Sequence, residues 1–201
     1  MITNSDGAAS AVNMSAEEIL SFWFGEDQDH GKSRREWFRK DPVFDDEIRR
    51  HFLAVYELAA SGTLSHWKSH ARHCLALIVM LDQFPRNMFR ASHRAFMTDA
   101  LAREAAQHAL DNGFDRELKP VERQFVYLPL EHSESLADQQ ACLKLMQQLS
   151  VFAETAELQV WAEKHLVIIQ RFGRFPHRNA ALGRESTAEE IEFLKQPGSG
   201  F

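Results

Sequence analysis

Several protein classes are excluded by what this chain lacks. Its 201 residues include only two cysteines, Cys74 and Cys142, too few for a disulfide framework, so a reducing cytoplasm is the expected location. No apolar run approaches the roughly 18 residues needed to cross a bilayer. Met1 to Met14 are small and polar, with neither a basic start nor an apolar stretch, and no secretory leader is read there. Basic charge is in deficit: 23 Lys and Arg against 29 Asp and Glu give a net charge of −6, which disfavours nucleic acid or a membrane surface as partner. There is no Gly-x-Gly-x-x-Gly, no Walker lysine loop, no Gly-x-Ser-x-Gly elbow and no Cys-x-x-Cys. The commonest nucleotide, hydrolase and redox motifs are therefore absent, and no cofactor is implied. Alternating strand patterns are missing as well.

What remains is a chain of near-average globular composition, 44% hydrophobic and 26% charged, punctuated helix after helix. Ser15 and Glu18 have capping-box spacing ahead of Ile19, Leu20, Trp23 and Phe24, and Gly25 closes the segment. Asp41-Pro42 pairs an N-cap with a first-turn proline before Phe44, Ile48, Phe52, Val55 and Tyr56. Ala71, Cys74, Leu75, Ile78 and Leu81 make a further stripe, expected to end before Pro85. Thr98-Asp99, Pro120 and Ser135 open three more helices, with Pro129 expected to end or kink the second of them. A long segment from about Glu154 to Arg171 halts at Gly173, and Ser186/Glu189 or Thr187/Glu190 caps a last helix. The expected fold is all-α, about eight helices in one domain over residues 14–195, with 1–13 and 196–201 as flexible tails. One internal echo stands out: Phe84-Pro85-Arg86-Asn87 and Phe175-Pro176-His177-Arg178-Asn179, each following an apolar segment.

Chemistry concentrates in three places. Asp82 follows an apolar run, so its carboxylate emerges near the core and needs a cation, for which Arg86 and Arg90 are nearest. Asn87 lies beside them. Arg171, Arg174, His177 and Arg178 form a donor-rich stretch, which suits either an anion or the capping of helix ends and internal acids. Glu131, His132, Glu134 and Asp138 supply the residue types for proton transfer, or else counter-charges for the arginines. The metal readings are weak. His66, His70 and His73 share a helix face but lack a third ligand for the pair His70/His73, and no zinc-site spacing occurs.

The segments Leu81-Asp82-Gln83-Phe84-Pro85-Arg86-Asn87-Met88-Phe89-Arg90, Tyr127-Leu128-Pro129-Leu130-Glu131-His132-Ser133-Glu134 and Arg171-Phe172-Gly173-Arg174-Phe175-Pro176-His177-Arg178-Asn179 together resemble a bacterial family catalogued as domain of unknown function nine hundred and twenty-four. The likeness runs from about Ile19, through Phe22-Trp23-Phe24-Gly25, to about Leu194. It implies an α-α superhelical, tetratricopeptide-like fold and no established activity. The tetratricopeptide consensus itself, with its regular period, is not visible.

Two functions are compatible with these residues. In the first, Arg86, Asn87, Arg171, Arg174, His177 and Arg178 hold a small anion, Glu131 or His132 moves a proton, and Asp82 orients its partner, with Trp23, Phe24 and Trp37 as pocket walls. In the second, the helices form a scaffold for a partner protein and the polar clusters are internal clamps. Charge is also uneven: residues 15–29 hold five acids and no Lys or Arg, whereas residues 165–184 hold four arginines and no acid.

Overall fold

A computed structural model describes residues 14–26 and 31–200. The expected tail 1–13, Asp27 and Asp29 of the acidic segment, and Phe201 lie outside the described residues. Among the described residues there are eight α-helices and no strand: α1 (Ala16–Phe24), α2 (Pro42–Ala60), α3 (Ala71–Met88), α4 (Asp99–Asp111), α5 (Pro120–Glu131), α6 (Leu136–Leu149), α7 (Leu158–Phe172) and α8 (Ala188–Leu194). The all-α expectation is met.

The caps act locally, as their spacing requires. The Glu18 amide donates to Ser15 Oγ, and the Ser15 amide donates back to the Glu18 carboxylate. Asp41 Oδ1 accepts from the amides of Val43 and Phe44, Ser135 Oγ from that of Asp138, and Thr187 with Glu190 closes the last capping box. Gly173, at φ 67° in the left-handed region, ends α7 where a side chain would be strained. That helix begins at Leu158, later than expected, because a short 3-10 turn at Ala153–Thr155 takes up the preceding segment.

Helix α3 is the axis of the fold. It packs against α1, α2, α4 and α5, and Cys74 to Pro85 are buried without interruption. Around it Trp23, Trp37, Phe44, Phe84 and Phe125 stack face-to-face or edge-on, at centroid separations of 4.8–6.1 Å. Trp23 and Phe24 are fully buried in this cluster and Trp37 is nearly so. The three rings expected to wall a pocket are therefore core, and Trp37 Nε1 donates to the Trp23 carbonyl at 2.8 Å.

The expected end of α3 before Pro85 is corrected: the helix runs on to Met88. A proline inside a helix has no N–H for the carbonyl four residues earlier, here Leu81. Thr98, just ahead of α4, supplies the missing donor, with its hydroxyl 2.6 Å from the Leu81 oxygen. A tertiary contact thus replaces a helical hydrogen bond and keeps Arg86 and Asn87 in helical register. Helix α5 likewise continues through Pro129 to Glu131.

This substitution of donors is testable by a double-mutant cycle. Thr98→Val should cost about 1–3 kcal/mol in urea unfolding, the penalty for a buried carbonyl left unpaired. In a Pro85→Ala background the backbone N–H restored at that position can serve Leu81, so the same change should cost less than half as much. Equal costs in both backgrounds would remove the proposed compensation.

Candidate functional site

The carboxylate of Asp82 lies at the centre of a connected polar group that joins four segments of the chain. Only 1% exposed, it accepts from His132 Nδ1 at 2.8 Å, from Gln83 Nε2 at 2.5 Å, and faces Arg86 Nη1 at 3.3 Å. Arg86 reaches onward to Asp99, with Nη1 and Nη2 at 3.0 and 3.2 Å from its two oxygens. Arg178 approaches the same carboxylate at 3.4 Å and donates to the His132 backbone oxygen at 2.9 Å. A closed loop results: Asp82, Arg86, Asp99, Arg178 and His132 join the end of α3, the start of α4, the end of α5 and the corner after α7.

Protonation follows from this arrangement. Burial pushes the Asp82 carboxyl up, but Arg86, His132 and Gln83 outweigh it and hold it at about 2. Asp82 is therefore an anion, and Nδ1 of His132 must carry the hydrogen in the bond between them. Burial, and after it the charge of Arg86, lowers the His132 pKa despite Asp82, so the ring is neutral at pH 7. Its Nε2 makes no hydrogen bond among the described residues, and the side chain retains 15% exposure. An imidazole oriented through Nδ1 by a buried carboxylate, with Nε2 open, is a proton acceptor by construction.

Glu131 occupies a separate space. Its carboxyl group faces His165 Nδ1 at 3.4 Å and Cys142 Sγ at 3.9 Å rather than the His132 ring. Burial and the nearby Asp82 charge raise its pKa to about 8, so it is protonated at neutral pH. Burial holds His165 down to about 3, and its Nδ1 lies 2.9 Å from the Trp161 oxygen. Burial and the charge of Glu131 push the Cys142 thiol up.

The remaining site candidates scatter. Asn87 donates to Asp45, which also takes Arg90. Arg171 pairs with Glu189 at 2.8 Å on an exposed flank, and Arg174 grips both oxygens of Glu190 at 2.7 and 2.8 Å. His177, half-buried, is lowered to about 4 by burial and by Arg178. Glu134 takes Arg184 and the Phe175 amide, and Asp138 takes Ser133. The structure therefore brings Asp82, Arg86, His132 and Arg178 together and places Arg171, Arg174 and Asn87 elsewhere. The echo of Phe-Pro motifs is not one of local fold, since Pro85 lies inside a helix and Pro176 opens a 3-10 turn. Its two arginines nevertheless meet on one carboxylate, Asp99, and over one ring, Phe96. Sequence reading missed Asp99 as an acceptor because Thr98-Asp99 already served as a helix start. It missed His165 because a lone histidine in an apolar helix carries no pattern.

Two surface depressions, one lined by Glu17, Glu18, Ser21, Phe22 and Arg34 and the other by His70, Arg72, His73 and Glu117, share no residue with the loop. No group of three or more metal-ligating side chains occurs among the described residues, the His66, His70 and His73 face included.

Comparison with known proteins places this chain in a family. A family described as "Bacterial protein of unknown function (DUF924)" matches residues 19–198. A protein of unknown function from Agrobacterium tumefaciens, of solved structure, is 39% identical and superposes with a TM-score of 0.79, covering 90% of this chain and 96% of its own. No curated protein matches the chain.

The neutral state of Glu131 has a measurable consequence. With a folded pKa of about 8 against an ordinary 4.5, the folded chain keeps a proton that the unfolded chain releases. Its contribution is fully present below about pH 4.5 and is lost as pH rises towards 8. His165 and His177, lowered to about 3 and 4, act in the opposite sense, but only below their ordinary value near 6.5. The Tm of Glu131→Gln relative to the wild type should therefore rise from about pH 5 to about pH 8. A constant difference would mean that Glu131 is ionised in the folded protein throughout.

Proposed function

We propose that this chain, which belongs to the DUF924 family of bacterial proteins of unknown function, binds a small anionic molecule beside His132 and uses that histidine to accept a proton from it. The observation that carries this reading is the dyad: His132 Nδ1 held at 2.8 Å by a buried, ionised Asp82, with Nε2 free of any described partner. Asp82 is then a positioning residue, because it acts on the substrate only through the imidazole, while Arg86 and Arg178 provide the cationic surroundings of the reacting centre. Burial first, and these two charges after it, keep His132 neutral, which a base requires. Glu131 stays neutral behind the dyad and spares it a second buried negative charge. Arg171 and Arg174, engaged with Glu189 and Glu190, hold the last helix rather than the anion. No described helix is long and apolar enough to cross a membrane.

A scaffold role is favoured by one separate observation. On the outer face of α7, Val160, Trp161 and Val167 are 47–57% exposed, and Lys164 lies over the Trp161 ring at 3.9 Å. Such a stripe suits a partner helix.

A screen of small organic anions by thermal shift and turnover, with His132→Gln and Trp161→Glu alongside the wild type, separates the two. The dyad predicts an anion that raises the Tm and is turned over, with turnover about 10²–10⁴-fold lower in His132→Gln and unchanged in Trp161→Glu. Turnover should hold steady through neutral pH and fall only below pH 6.5, as His132 protonates. Turnover that survives His132→Gln would refute it. A stoichiometric protein partner lost with Trp161→Glu, without any turnover, would establish the scaffold.

A further inference from the structure

One buried donor in the loop is left over. Arg178 is 6% exposed, and its guanidinium carbon lies over the rings of Phe96 and Phe175, at 4.8 and 4.4 Å from their centroids. All of its hydrogen bonds leave through Nη1, to Asp99 and to the His132 oxygen. Nε is buried without a hydrogen-bond partner, and Nη2 makes no bond among the described residues. Buried N–H groups are nearly always paired, since leaving one unmade costs free energy. The other charged groups of the loop meet this rule: Asp82, Arg86 and Asp99 each have at least two partners.

From this we infer that the free Nε/Nη2 edge of Arg178 is a receptor for a carboxylate, and that the anion proposed for this site is a small organic acid. The inference rests on the function proposed above for its location but not for its chemistry. Nε–H and one Nη2–H run parallel, at the spacing of the two oxygens of a carboxylate, and form the fork that binds such a group with two bonds. Two aromatic rings lie over the guanidinium and leave its N–H edge for a planar acceptor. Charge selects against a phosphate dianion. Asp82 and Asp99 balance Arg86 and Arg178, so the buried loop is already neutral, and each added negative charge must be taken from water into it. One charge costs less than two. Phe96, which is only partly buried, forms the outer wall. Nη1 of the same guanidinium is fixed on the His132 backbone oxygen, so the free edge belongs to a side chain anchored on the segment that carries the imidazole.

The arginine Nε–H resonances of the ¹⁵N-labelled full chain report the receptor directly. Arg178→Lys assigns the Arg178 signal. If that variant does not fold, Phe96→Leu assigns it through the loss of one ring-current contribution. At constant ionic strength, sodium acetate and sodium propionate should move this resonance saturably, in the wild type and in His132→Gln alike. Acetamide should leave it in place, and inorganic phosphate should move it less. A resonance unmoved by either carboxylate, or moved equally by acetamide, overturns the receptor. Saturable movement together with no turnover of any anion keeps the receptor and rejects proton transfer. Turnover that needs His132, on a protein whose Arg178 signal no acid moves, rejects the receptor alone.

Discussion

A carboxylate in a helix buried without interruption from Cys74 to Pro85 must be compensated, and Asp82 imposes that demand on everything around it. Breaking a buried ion pair by removing one partner costs on the order of 3–5 kcal/mol, a large fraction of the stability of a domain this size. Arg86, one turn further along α3, answers first. A buried Arg86 then needs its own second anion, which Asp99 provides at the start of α4. Asp99 in turn receives Arg178 from the corner after α7, and Arg178 returns to the backbone of His132. Each member satisfies the previous one and creates the next requirement. Segments far apart in the chain are joined by that sequence of requirements in addition to apolar contact.

Local devices were legible in the sequence, and distant ones were not. The capping boxes at Ser15 and Thr187 and the Asp41-Pro42 start could be read because donor and acceptor lie within one turn. The central place of α3 followed from a run of apolar residues too continuous for a surface helix. Pro85 misled, because its helix is completed by Thr98 from another element, and nothing near Pro85 announces that donor. The need of Asp82 for Arg86 could be read from i,i+4 spacing. The identity of the acids that take Arg171 and Arg174 could not, since Glu189 and Glu190 belong to a helix whose docking is tertiary. The arginine-rich stretch, read as one donor cluster, is divided between an exposed flank and a buried corner.

The loop also decides which of two buried histidines faces an ionised carboxylate. His132 and His165 lie near each other, with ring centroids 6.4 Å apart, and each faces a carboxyl group, Asp82 and Glu131 respectively. Two like charges in one desolvated region are not both tolerated, so one acid ionises and the other keeps its proton. The guanidinium settles which: Arg86 contacts Asp82, while Glu131 has only Cys142 and a histidine held neutral by burial. His132 therefore receives an anionic partner that fixes its tautomer and strengthens Nε2 as a base. His165, hydrogen-bonded to the Trp161 carbonyl and held at about 3, does not take up a proton near neutral pH. The asymmetry between the two histidines thus originates in the placement of one arginine, and that placement depends on α3 remaining helical through Pro85.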